Sequence, residues 1–404
     1  MILKMNNIIC ELIQSVFWHT SVKDHSPEEW ADVLKEVKEH KIELLFMDAL
    51  SSWNVPEDIF NTWKKDSFSI TSHNVQLLSL QKALHELLIK ERIEYSILKG
   101  SAASVYYPRP LYRTAGDIDL IVRDEDFERT HALFDRIFGA SSIGSKHNGK
   151  IREYVYAKDL CVIELHQSYA ILANNKDRIL DSWIKEDIHN NCLRIIGEKY
   201  PFCMLSEHIN GLVLLAHIAQ HLEGGLGLRQ IIDWMIYVYT CLPDNKWPAF
   251  QEKAREIGLN NLAVTTTRMC QIYLGLPTEN IHWAENADSD LCIELMEFVL
   301  GCGDFGRKQA ANNTVSMIVS RNQGIFTLFR NLQHRGLSNW NALRKYPFLR
   351  PLAWIYQGCR YIRRGMGRKN ALGELKKELS DGKKRDRLLK ELGIKSTWKG
   401  TEIK

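Results

Sequence analysis

The chain has 404 residues, of which 45% are hydrophobic and 25% charged, with a formal net charge of +4. At about 100 to 200 residues per domain this length favours two or three domains, and the composition excludes a disordered chain, a collagen-like repeat and a disulfide-dense scaffold. The charge is unevenly divided: residues 344–404 hold 18 Lys and Arg against 6 Asp and Glu, so the preceding 343 residues are net acidic, with 35 against 43.

The nine cysteines are scattered and never form a C-x-x-C pair. Zinc and disulfide frameworks need closer spacing, so reduced buried thiols and a cytoplasmic location are expected. The apolar stretch from Met1 to Trp18 is broken by Asn6, Asn7 and Glu11, and no small-residue cleavage site follows it. It reads as neither a signal peptide nor a membrane span.

Residues 1 to about 90 carry apolar positions at three- and four-residue spacing, among them Leu34, Val37, Leu77, Leu84 and Leu88, and are expected to be helical. Ser26-Pro27-Glu28-Glu29 has the pattern of a helix start. The pattern changes at Ile93. Ile93 to Leu98 reads as a strand entering the turn Lys99-Gly100-Ser101, with a short helix expected at about Ala102 to Tyr106. Asp117 to Val122 reads as a second strand and Asp124 to Phe138 as a helix, followed by a flexible Gly/Ser loop from Gly139 to Ser145. Ile151 to Ala157 and Cys161 to His166 are so closely joined that a hairpin is expected. Beyond about Pro201 the strand signal fades. Ser206 is a plausible N-cap for a helix running through Leu212 to Ile218, and after Gly224-Gly225-Leu226-Gly227 another helix is expected from Arg229 to Thr240.

The chemistry concentrates in the middle. On a strand, Asp117 and Asp119 project from one face while Ile118 and Leu120 enter the core. Two carboxylates so placed repel each other unless a cation lies between them, and oxygen ligands of this kind suit Mg2+ or Mn2+. Glu164, which shares a strand face with His166, supplies a third acid from a neighbouring strand, as two-metal phosphoryl transfer requires. Gly100-Ser101 permits close backbone approach at the start of a short helix, where a triphosphate can lie. Lys99 and Arg113 are either ordinary surface cations or groups that screen nucleotide charge.

At Leu98-Lys99-Gly100-Ser101, Tyr107-Pro108, Arg113 and Gly116-Asp117-Ile118-Asp119-Leu120-Ile121-Val122 the sequence resembles the polymerase-beta-like nucleotidyltransferase superfamily. More specifically it resembles an uncharacterised bacterial nucleotidyltransferase family with an LKG...YP...R...DIDLLV pattern. The likeness is strong over about residues 93 to 170 and weaker over the flanking helices. It implies that Asp117 and Asp119 bind the catalytic metals, that Gly100 and Ser101 hold the phosphates of ATP or another NTP, and that Glu164 is the third acid. It also suggests nucleotide or acceptor contacts for His221, Arg229 and Asp233. The alternative for the last two is a pair one helical turn apart, worth a few tenths of a kcal/mol. His217 and His221 share a helix face, but no H-E-x-x-H supports zinc.

The expected architecture is α+β. A helical segment (1–90) precedes a polymerase-beta-like nucleotidyltransferase core with a small mixed sheet (91–200), followed by a larger helical domain completing the cleft (201–343) and a basic helical tail (344–404). The expected reaction moves NMP, with AMP from ATP foremost, to an unidentified small-molecule or macromolecular acceptor with release of pyrophosphate. Two rivals stand beside it: a catalytically silent nucleotide-binding or regulatory module, and a nucleic-acid-binding protein acting through the tail. In that tail Arg360, Arg363, Arg364, Arg368 and Lys369 interleave with Trp354, Tyr356 and Tyr361, a pattern open to nucleic acid, to an anionic membrane face, or to a solvated appendage.

Overall fold

The structure, a computed structural model, describes residues 2–304, 346–366 and 384–394, apart from 148–149, 170–171, 173–175 and 191, together with positions 333, 336, 337 and 340. The described residues fall into two compact units, those within 1–308 and 392–404 and those within 309–391.

In the first unit three helices, α1 (Ile2–Trp18), α2 (Pro27–His40) and α3 (Glu57–Lys90), precede the first strand. A capping box starts α2: Ser26 Oγ accepts from the Glu29 amide at 3.3 Å, and the Glu29 carboxylate accepts from the Ser26 amide at 2.9 Å. This satisfies two amides that a helix start otherwise leaves open. The strand β1 (Tyr95–Leu98) leads through α4 (Gly100–Ser104) to β2 (Ile118–Val122) and α5 (Asp124–Phe138). The short helix thus begins two residues earlier than expected, directly at the turn.

Then come β3 (Ser142–His147), β4 (Lys150–Lys158), β5 (Cys161–His166), α6 (Lys176–Asp187), β6 (Cys192–Ile196) and β7 (Tyr200–Met204). The segment read as a Gly/Ser loop is therefore largely strand. Antiparallel pairing with β4 overrides its composition, and the register shift between Ile143 and Ser145 absorbs the irregularity around Gly144. The β6–β7 hairpin also departs from the sequence reading. Pro201 pairs with Ile195 on β6, whereas β7 meets β1 only at Ile97 and Met204, so the missing Pro N–H removes nothing on the β1 side.

The seven strands form one mixed sheet in the order β3-β4-β5-β2-β1-β7-β6. Ile118, Leu120 and Val122 share a core with Leu77, Leu84 and Leu88 of α3 and with Phe127, Leu133 and Phe134 of α5. Each fully buried side chain of this size contributes about 1.5–3 kcal/mol. Strand alternation then turns Asp119 to the other face.

Five further helices complete this unit: α7 (Glu207–Gly224), α8 (Leu228–Cys241), α9 (Trp247–Glu256), α10 (Asn260–Leu274) and α11 (Ser289–Cys302). A Cβ on Gly211 would lie 2.2 Å from the Tyr237 ring, so glycine is what lets α7 and α8 approach. Asn210 of α7 donates to the Ala102 carbonyl at 3.2 Å and to Tyr106 Oη at 2.9 Å, which fastens the helical half beside the β1–β2 connection.

The second unit contains α12 (Ala353–Met366). Arg344, Arg368 and Lys369 lie outside the described residues. Among the described residues Cys10, Cys161, Cys203, Cys241, Cys270, Cys292 and Cys302 are buried free thiols and Cys359 an exposed one, and no helix is long and apolar enough to cross a membrane.

Candidate active site

Parallel pairing of β2 with β5 sets Asp119 opposite Glu164 and Ile121 opposite His166. On its other side β5 pairs antiparallel with β4, which sets Glu153 opposite His166. Register alone therefore gathers three acids and a histidine. Lys99 Nζ and His166 Nε2 both donate to Asp119 Oδ1, at 2.7 and 2.8 Å. His166 Nε2 is also 3.5 Å from Glu164 Oε2, and its Nδ1 is 3.2 Å from Glu153 Oε2.

The charges are mutually adjusted. Burial opposes charge on Asp119, but Lys99 and His166 outweigh it and hold the carboxyl well below the usual carboxylate range. Burial likewise works against a charged His166, while bonds to Asp119, Glu153 and Glu164 push it up to about 10. Lys99 is raised above the ordinary lysine value because Asp119, Tyr169 and Asp117 together overcome its desolvation. At Asp117, just before β2, the positive charge of Lys99 is outweighed. Burial and the charge of Asp119 push its carboxyl up to about 6, with Glu164 adding to the effect.

The turn after β1 brings the backbone to this group. Lys99 has φ 51° and Gly100 φ 28°, both in the left-handed region, where a non-glycine residue is held only if its surroundings demand it. At Lys99 that demand is the bond to Asp119, and the amine also sits 5.3 Å from the centre of the Tyr169 ring. Gly100, Ser101, Asn74, Arg113 and Asp117 line a small cavity beside the turn. Ser101 Oγ donates to Gln81 Oε1 at 2.7 Å.

A family model described as uncharacterised nucleotidyltransferase matches residues 26–275, a span that contains every side chain described above. The chain belongs to this nucleotidyltransferase family. A solved structure, the antigenic nucleotidyltransferase-like protein from Paracoccidioides brasiliensis, is 16% identical, covering 52% of this chain and 97% of its own length with a TM-score of 0.31. No curated protein shows significant similarity to the chain.

In this nucleotidyltransferase family member one ligand atom each from Asp119, Glu164 and His166 lie within 4.8 Å of one another, so this group could hold a metal ion. The donors fit. Asp119 Oδ2 is buried with no hydrogen-bond partner, a costly position for a carboxylate oxygen unless something else binds it. The carboxylate of Glu153 at His166 Nδ1 is the outer partner that metal-ligating histidines usually have.

Arg113, Asp233, Arg229 and His221 each bond to other residues of the chain. Arg113 Nε and Nη2 donate to the two Asp233 oxygens at 3.1 and 2.7 Å, and Tyr107 Oη donates to the same carboxylate at 2.8 Å. Arg229 donates to the Thr114 carbonyl at 3.0 Å and to Asp304 at 3.2 and 3.3 Å. Thus Arg229 and Asp233 each bond across to another element, and both pairs join α8 to segments distant in sequence. His221 Nε2 lies 2.8 Å from His217 Nε2, and its Nδ1 is 3.3 Å from the Gly225 carbonyl. That geometry assigns the His221 proton to Nδ1, so His217 donates to His221.

Sequence reasoning singled out Glu164 but gave no role to His166, Glu153 or Tyr169. The two-residue spacing from Glu164 to His166 was a usable signal. Glu153 had none until the β4–β5 register was known.

Proposed function

We propose that this nucleotidyltransferase family member transfers a nucleoside monophosphate, AMP from ATP, to an acceptor nucleophile and releases pyrophosphate, with dependence on Mg2+ or Mn2+. The observation that carries the reading is Asp119 in register with Glu164, its Oδ2 buried and unbonded, and Asp117 and the Gly100 turn beside it. Asp117, Asp119 and Glu164 would hold the metal, and His166 Nε2 offers a nitrogen donor that moves the preference from Mg2+ towards Mn2+. When bound, the cation supplies charge neutralisation at the transferring phosphoryl group and acidifies the acceptor.

The chain's own groups then have distinct tasks. Gly100 and Ser101 carry the triphosphate, and Lys99 turns from Asp119 towards it as a further cation. Glu164, at 26% side-chain exposure against 1% for Asp119, is the accessible acid and takes the acceptor proton. The acceptor oxygen bonds to the α-phosphorus as the bond to the β-phosphate oxygen breaks, and pyrophosphate leaves. Arg113, Asp233, Arg229 and His221 form the wall that positions nucleotide and acceptor. Positioning and electrostatics would account for most of the rate.

One observation favours the catalytically silent nucleotide-binding module as a second reading: Lys99 and His166 already neutralise Asp119 without any metal. Incubation with α-labelled ATP and Mg2+ or Mn2+ separates the two readings, following label into the protein, small molecules and RNA. Transfer by the wild type, with loss in Asp119→Asn and Glu164→Gln at unchanged secondary structure, is the expected result. Nucleotide binding with no metal-dependent pyrophosphate release from any acceptor would leave only the silent module.

A further inference from the structure

Tyr169, three residues beyond β5, is held at every point but one. Its amide donates to Asp181 Oδ1 of α6 at 2.9 Å, and its carbonyl accepts from Arg152 Nη2 of β4. Its ring stands edge-on to His166 with the ring centres 6.0 Å apart, and the Lys99 amine is 5.3 Å from the ring centre. The residue is 1% exposed, yet its Oη has no hydrogen-bond partner. A buried hydroxyl left without a bond costs stability. Burial, against the charge of Lys99 and together with that of Asp119, raises the phenol above its ordinary value, so at neutral pH the group is an uncharged O–H donor.

Asp119 repeats the pattern. Lys99 Nζ holds its Oδ1 at 2.7 Å, while Oδ2 is buried and unbonded. One amine therefore lies against two side chains, each with an oxygen that bonds to nothing. A carboxylate oxygen suits a cation, and a phenol O–H suits an anionic oxygen, so the two match the two halves of a metal–phosphate group. We infer that Tyr169 is a phosphate-binding residue of this site: when Lys99 leaves Asp119, the Tyr169 hydroxyl donates to a non-bridging oxygen of the triphosphate, beside the lysine. The inference rests on the nucleotide reading proposed above and adds to it a ligand-binding residue. Tyr237 is the contrast. Its Oη is likewise buried without a partner, but its ring packs against Tyr106, Trp234 and Phe250 in the helical half.

The test is titration calorimetry of the full chain with tripolyphosphate and with α,β-methylene-ATP, each with Mg2+. Tyr169→Phe removes only the unbonded oxygen. It should weaken both ligands by about 10- to 100-fold, the worth of a hydrogen bond to a charged oxygen, while the thermal midpoint of the ligand-free protein holds or rises slightly. Tyr237→Phe makes the same deletion in the helical half and should leave both affinities unchanged. Five outcomes overturn the inference: wild-type affinities in Tyr169→Phe, a loss matched by a lower thermal midpoint, an equal loss in Tyr237→Phe, a loss for the nucleotide but not for tripolyphosphate, or no binding of tripolyphosphate by the wild type. The reaction is judged separately, by label transfer from α-labelled ATP. Wild-type affinities in Tyr169→Phe would leave that reading standing, and a loss of phosphate binding in a protein that transfers no label would keep Tyr169 in the site of a silent nucleotide-binding module.

Discussion

Lys99 and Asp119 form a 2.7 Å ion pair across the β1–β2 junction, with the carboxylate side chain only 1% exposed. The neighbouring Asp117 has burial and two acids working against its charge. The two aspartates of the D-x-D pattern therefore have opposite effects on the stability of the metal-free protein, although spacing alone makes them look equivalent. Asp119→Ala leaves Lys99 and His166 uncompensated and should cost about 3–5 kcal/mol. Asp117→Asn removes a disfavoured charge and should stabilise the protein by up to about 3 kcal/mol at pH 7. Urea denaturation in the presence of a chelator measures both. Equal effects of the same sign would refute the asymmetry.

The Glu153 carboxylate lies 3.2 Å from the nitrogen of His166 that faces away from Asp119. Glu153→Gln keeps the size but weakens the hold on the ring. Manganese affinity, followed by titration calorimetry, should fall by about 10- to 100-fold while the thermal midpoint of the metal-free protein moves little. Unchanged affinity would remove His166 from the metal site and leave it as a partner of Asp119 alone.

Asp233 receives a forked bond from Arg113 and a third from Tyr107, all buried. Removing it strands a guanidinium. Asp233→Ala should lose about 3–5 kcal/mol, and the double variant Arg113→Met/Asp233→Leu should recover most of that, because an apolar pair of similar volume carries no desolvation penalty. Arg113→Lys keeps the charge without the fork and should fall between. Denaturant midpoints test the order. An Asp233→Ala protein of wild-type stability would refute a structural role for the buried fork.

Local signals explain what could be read in advance. The helix from Asp124 to Phe138 has the bounds its acids and periodicity suggest, and strand alternation sends Ile118 and Leu120 into the core and leaves Asp119 opposite Glu164. Pairing information is not local. Nothing in Gly139 to Ser145 announces a strand until β4 lies beside it, and the β6–β7 hairpin was hidden because Pro201 reads as a breaker unless its position in the sheet is known. The same holds within the site. The helix pair that spacing offers as the alternative for Arg229 and Asp233 does not form: Asp233 takes Arg113, 120 positions away, and Arg229 takes Asp304, 75 away. Spacing can propose partners within a helix or hairpin, whereas tertiary packing chooses among those separated by a hundred residues.

The histidine pair on α7 gives a pH signature that can be read from stability alone. Burial, followed by the positive charge of Lys99, lowers His221 from 6.5 to about 4, and burial with the neighbouring His221 lowers His217 well below its ordinary value. Both are neutral in the folded protein at pH 6, where the unfolded chain already takes up protons. Because the folded values are depressed, the contribution to stability is intact above about pH 6.5 and is lost as pH falls towards 4. For His221 the loss is on the order of 3 kcal/mol at about 1.4 kcal/mol per pKa unit. His221→Gln keeps a hydrogen-bonding side chain that does not titrate, so its denaturation midpoint should fall less steeply than the wild type between pH 6.5 and 4. The curves of wild type and variant should run parallel above pH 7. Parallel curves throughout the acid range would mean that His221 is as easily protonated folded as unfolded, and the buried neutral pair would have to be abandoned.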